Sequence, residues 1–125
     1  MLQRGMQVPF FEVTTVDGRH VEYRALWQSQ NLLLVTIPRH DDSHACTASL
    51  RARMTELMAH DTAVVMTTDD VAGMPAPGVL VADRWGDIFF VGRFADDTPC
   101  FDADAIIGWL RHVQMQCPEC QGEAQ

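Results

Sequence analysis

Residues 32–37 read Leu-Leu-Leu-Val-Thr-Ile, and the run stops at Pro38. A strand with one wet face alternates apolar and polar side chains, so a nearly unbroken apolar run needs cover on both faces. Pro38 has no N–H to give to a ladder and ends the strand. A chain built around such a strand is an α/β domain whose sheet faces need helices on both sides. At 125 residues, 47% of them hydrophobic, the chain is long enough to bury roughly two-thirds of its unfolded surface in a single domain without disulfide staples.

The flanking patterns narrow the topology. Residues 10–16 (FFEVTTV) are aromatic and β-branched, Asp17-Gly18 is a turn signal, and residues 19–23 return with partial alternation, which predicts an N-terminal β-hairpin. After a polar loop, Leu50, Met54, Leu57 and Met58 fall at helical spacing and predict an amphipathic helix over about residues 43–60. Residues 63–67 (AVVMT) read as the next strand. Residues 67–77 hold too many breakers for more than one helical turn. Residues 79–82 and 88–91 flank a turn at 83–87 as a second hairpin. From Asp102, an N-cap residue type, Ile106, Ile107, Leu110 and Val113 form the stripe of a last helix.

The formal net charge is −8, from nine cations, all of them arginine, and seventeen acids. That balance argues against a nucleic-acid backbone or an anionic membrane as partner, since both are bound through clustered cations. The absence of lysine removes the Walker phosphate loop, the pyridoxal Schiff base and the lysine general base. No apolar run approaches the ~18 residues of a membrane span, and residues 1–10 lack the apolar stretch of a secretory signal, so a cytoplasmic location is expected. In that compartment the four cysteines point to thiol redox or metal chemistry rather than structural bridges.

Motifs occur in an order that matters more than any one of them. The chain opens with Val8-Pro9-Phe10, Val13 and Asp17-Gly18, similar to a VPxFxLxxxDG entry. Cys46 begins the helix after the central strand, and Pro77-Gly-Val-Leu-Val-Ala-Asp-Arg-Trp-Gly-Asp-Ile is similar to a PTTFLIDxxGxI segment. Together with the element order, these resemble the thioredoxin-like superfamily, in its redoxin and peroxiredoxin (alkyl hydroperoxide reductase/thiol-specific antioxidant-like) branch. The resemblance implies a single thioredoxin-like α/β domain over residues 1–116, with a central mixed sheet flanked by helices, an N-terminal β-hairpin and a C-terminal tail at 117–125. It also implies that Pro77 is a cis proline lying beside the thiol of Cys46.

Cys46 is the expected nucleophile. With Ser43 as N-cap, its sulfur falls in the first helical turn, where free amides and the positive end of the dipole stabilise a thiolate. Arg39, His40 and His44 add positive potential, and Asp41 and Asp42 oppose it. Read as a CxxS motif, Cys46-Thr47-Ala48-Ser49 puts Ser49 where a second sulfur would stand, so the thiol can attack a disulfide but cannot resolve the mixed disulfide from that position. Pro38, Ser43 and Cys46 also resemble the peroxiredoxin PxxxTxxC motif, but the proline stands one residue too far away. The arginine that family supplies beside its sulfur is missing from residues 77–82, and Arg84 lies in the turn beyond. Hydroperoxide reduction therefore ranks below general thiol chemistry. Cys46 equally fits a buried small residue in a domain without activity. His40, Asp41, Asp42, His44 and Cys46 form a loose metal-ligand set of a kind that solvated loops show without a metal.

The tail carries Cys117-Pro118-Glu119-Cys120. Three readings stand side by side: a redox dithiol, half of an all-cysteine zinc site shared across a homodimer, and an idle tail. In a thioredoxin-like topology Cys100 precedes the last helix on the active-site side, whereas Cys117 and Cys120 follow its far end. About fourteen helical residues span roughly 20 Å, beyond the roughly 7 Å reach of a disulfide between Cα atoms, which makes Cys100 the expected resolving partner within one chain. The expected activity is thiol–disulfide exchange on a disulfide-bearing protein or small molecule. Its rival from a different class is a catalytically silent thioredoxin-like binding module.

Overall fold

A computed structural model describes residues 2–37, 50–59, 61–75, 78–93 and 103–115. In chain order the elements are β1 (Glu12–Thr14), β2 (His20–Glu22), α1 (Tyr23–Leu26), β3 (Asn31–Thr36), α2 (Met54–Met58), β4 (Thr62–Thr67), β5 (Gly78–Ala82), β6 (Ile88–Arg93) and α3 (Ala103–Met115). Residues 50–52 are also helical, just ahead of α2.

The apolar run is the sheet's interior strand, and every residue of β3 is buried. The four-stranded sheet has the order β4-β3-β5-β6. β3 pairs parallel with β4 and antiparallel with β5, and β5 pairs antiparallel with β6, so the sheet is mixed. β1 and β2 form the expected antiparallel hairpin.

Alternation along β3 sorts its side chains to two cores. Leu33 and Val35, with Ile37 beyond the strand end, join Val79, Val81 and Met66 beneath Leu50 and Leu57 on the α2 side and Ile106, Ile107, Leu110 and Val113 of α3. Leu32 and Leu34 point the other way, with Leu80, Ala82 and Val65, and meet Val8, Val13 and Tyr23. Helices therefore cover one face, while the N-terminal segment, the hairpin and the single-turn α1 cover the other. The hairpin is tied down where the Val16 N–H donates to Met66 O at 2.9 Å and Thr15 bridges Thr67.

The expected second hairpin strand at 19–23 ends earlier than the pattern suggested, because Tyr23 starts α1 and turns inward. Its ring is 1% exposed and stacks on Phe11 with centroids 5.3 Å apart. The Tyr23 hydroxyl is buried without a hydrogen-bond partner among the described residues. Burial, and secondarily Asp83 and Asp87, push its pKa from 10.0 up to about 12. Because the folded value lies above the unfolded one, the folded chain keeps a proton that the unfolded chain loses. This contribution is whole below pH 10 and falls as pH rises toward 12, by up to ~1.4 kcal/mol per unit. Tyr23→Phe should flatten that alkaline loss and raise stability near neutrality by about 1 kcal/mol, since it removes an unmet donor. Urea unfolding near neutral pH and at pH 11 measures both, and an undiminished alkaline loss in the variant would refute the assignment.

Candidate active site

One register row closes an end of the sheet: Thr67 pairs with Thr36, Thr36 with Gly78, and Gly78 with Arg93. Two residues beyond Thr36 the chain passes into 38–49, which carries Ser43, Cys46 and Ser49. Gly78 directly follows Pro77, and Arg93 leads into 94–102, which carries Cys100. The exit toward Cys46, the entry from Pro77 and the exit toward Cys100 are thus neighbours in one row. Ser43, Cys46, Ser49, Pro77, Cys100, Cys117 and Cys120 themselves lie outside the described residues.

The row is held by threonines that the sequence reading did not single out. Thr36 is 2% exposed and Thr67 fully buried, so each hydroxyl needs a partner. The Thr36 hydroxyl donates to Pro75 O. The Thr67 hydroxyl donates to Thr14 O at 2.7 Å and accepts from the Asp69 N–H at 3.0 Å. Asp69 in turn accepts from the Thr14 N–H at 2.7 Å, which clamps the hairpin to the end of β4. A signal was present, since LLLVTI and AVVMT each carry a threonine late in an apolar run, at what proves to be the same register step.

Gly78 is required by close approach. A Cβ built there would stand 2.6 Å from Pro75 O, 2.9 Å from Pro75 Cγ and 3.1 Å from the Thr36 hydroxyl oxygen. Only a residue without that carbon lets the strand enter under Pro75 while Thr36 reaches the same carbonyl.

The helical face is anchored next to this end. Arg53 pairs with Glu56 at 2.8 Å and reaches Asp104 near the start of α3. Further along α3, Trp109 stacks on Phe90 at 5.2 Å and His112 meets Phe89 edge-on at 5.8 Å. Since β6 runs from Ile88 toward Arg93, these contacts show that α3 travels away from the Thr36 row. Its 13 residues span roughly 20 Å, and its C-terminal end lies toward the opposite end of the sheet. Arg84 stands in the β5–β6 turn at that opposite end. Among the described residues no helix is long and apolar enough to cross a membrane.

Neither a protein-family model nor a curated protein matches the sequence. Solved structures do match the fold. A yeast mitochondrial 1-Cys peroxiredoxin superposes with a TM-score of 0.72 at 12% identity, over 92% of this chain and 78% of its own. The thiol peroxidase from Chromobacterium violaceum gives 0.64 at 18% identity, over 93% and 90%. A putative protein disulfide isomerase from Bacteroides thetaiotaomicron gives 0.61 at 13% identity, over 93% and 92%. The domain thus has a thioredoxin-like α/β fold with a central mixed sheet and an N-terminal hairpin.

Proposed function

We propose that the protein is a thiol–disulfide oxidoreductase acting through Cys46. The observation that supports this reading is the Thr67–Thr36–Gly78–Arg93 row, from whose neighbouring points the chain departs toward Cys46 and Cys100 and arrives from Pro77. The Cys46 thiolate attacks one sulfur of a substrate disulfide, so that a Cys46–substrate bond forms as the substrate S–S bond breaks and the leaving thiolate takes a proton from water. Ser49 cannot displace the bound half, because a hydroxyl is no reductant. Cys100 attacks the Cys46 sulfur, releasing the second substrate thiol and forming a Cys46–Cys100 disulfide, which an external dithiol reduces. The same fold carries peroxidases and a putative disulfide isomerase among its solved neighbours, and the departures from the peroxiredoxin motif favour disulfide substrates.

The test is alkylation across a pH series followed by peptide mass mapping of all four cysteines. Cys46 is expected to label at neutral pH about tenfold faster than Cys117 and Cys120, as a thiolate stabilised at a helix start does. Cys46→Ser should abolish turnover of a small disulfide with a dithiol reductant. Slower labelling of Cys46, or labelling only after unfolding, would establish the silent binding module instead. Hydroperoxide consumption lost in the same variant would reassign the substrate and keep the nucleophile.

A further inference from the structure

The N-terminal hairpin carries a cluster that the thiol chemistry leaves unused. Glu12 and Glu22 are direct partners across β1 and β2, and His20 stands one same-face step away, opposite Thr14. Strand side chains alternate, so these residues share the outward face while Val13 and Val21 pack inward. His20 Nε2 lies 2.8 Å from Glu12 Oε1 and 3.9 Å from Glu22 Oε1, and one donor atom from each residue falls within 4.8 Å of the other two. Donors around a first-row divalent ion, at about 2.1 Å from it, sit roughly 3–4 Å from one another. Small side-chain rotations would therefore let all three share one ion.

The geometry points to a divalent-metal site made by Glu12, His20 and Glu22, whose imidazole and carboxylate donors suit zinc. An imidazole donor selects against calcium and magnesium, which take oxygen ligands, and the absence of sulfur selects against cuprous ion. Two carboxylates balance the charge of one divalent cation. Like charges directly opposite on a ladder are destabilising, and each strand of this hairpin is only three residues long. A cation between Glu12 and Glu22 removes that repulsion and cross-links the two strands. Beside the carboxylates opens a cleft of about 260 Å³ lined by Phe10, Phe11, Glu12, Glu22 and Arg24. Three protein donors leave a fourth position open, and this cleft gives water or a small anion drawn by Arg24 access to it.

The test uses the full chain with its thiols carbamidomethylated, so that cysteine does not compete, titrated with zinc chloride and followed by amide NMR. Resonances of residues 12–14 and 20–22 should shift together and saturate at one equivalent. His20→Ala and Glu22→Gln, both at exposed positions, should each weaken the midpoint at least about tenfold, as loss of a ligand does, with the remaining spectrum in place. Magnesium chloride at the same concentration should leave the hairpin unmoved. Hairpin resonances unaffected by millimolar zinc, or an unchanged midpoint in both variants, would overturn the site.

Discussion

Leu34→Ala should cost about 3–4 kcal/mol of unfolding free energy, within the range for a fully enclosed leucine truncated to alanine. Leu34 is 0% exposed, sits on the interior strand, and pairs with Val65 on one side and Leu80 on the other. Among the described residues, strand partners hold the site laterally, and Val13 of the hairpin and Tyr23 of α1 share its core cluster on that face, so the space left behind is not readily filled. A domain of this size is stable by only about 5–15 kcal/mol, so this one truncation takes a large share. Urea denaturation measures it as a lower midpoint at constant slope. Met58→Ala is the control, since Met58 is 54% exposed although it sits in α2, and it should cost less than about 0.5 kcal/mol. A Leu34→Ala loss no larger than the Met58→Ala loss would mean that β3 is not enclosed on its hairpin face.

Gly78→Ala should impair stability and chemistry together. The added carbon meets a backbone oxygen, Pro75 O, at 2.6 Å, so relief requires the 75–78 segment to move, and the Thr36 hydroxyl bond to that oxygen goes with it. Overpacking of this kind costs typically about 1–3 kcal/mol. Because Gly78 directly follows Pro77, the proline that the proposed site sets beside Cys46, the proposed exchange reaction of Cys46 should slow by about tenfold or more, as small misplacements near a reacting group do. Gly108→Ala provides the opposite case. Nothing stands within 4 Å of a Cβ there, the position is inside α3, and alanine should stabilise the helix by about 0.5–1 kcal/mol. Parallel unfolding curves and Cys46 alkylation rates decide the matter. A Gly78→Ala protein with unaltered stability and an unaltered alkylation rate would sink the close-approach argument and its link to the site.

Much of the architecture was legible because it rests on local periodicity. An apolar run that ends at a proline has few outlets, and residues 32–37 appear as Asn31–Thr36. Residues 63–67 appear as Thr62–Thr67 and the 106/107/110/113 stripe as the core face of α3. The turn chemistry of Asp17-Gly18 was equally readable, with Gly18 at a φ of +88° where glycine is at ease. The expected helix over 43–60 is helical at 50–52 and Met54–Met58, and residues 43–49 lie outside the described residues. α1 was not legible: four residues are too few to show a helical period, and they wind up because Tyr23 is drawn under the hairpin beside Phe11.

What the sequence by itself determined is the set of elements other than α1 and the two-sided burial of β3, since these follow from side-chain period and turn residues within short windows. Beyond the two hairpins, only the tertiary structure decided which elements are neighbours. The strand order β4-β3-β5-β6 brings positions 36, 67, 78 and 93 into one row, although up to 57 residues separate them along the chain. It also decided that a hairpin and one helical turn, rather than longer helices, cover the second face, because alternation demands apolar cover without specifying its form. The Glu12–His20–Glu22 cluster is the plainest case. In the sequence these are scattered polar residues around a turn, and only antiparallel pairing, which sets Glu12 against Glu22 and places His20 one same-face step away, turns them into a single set of donors.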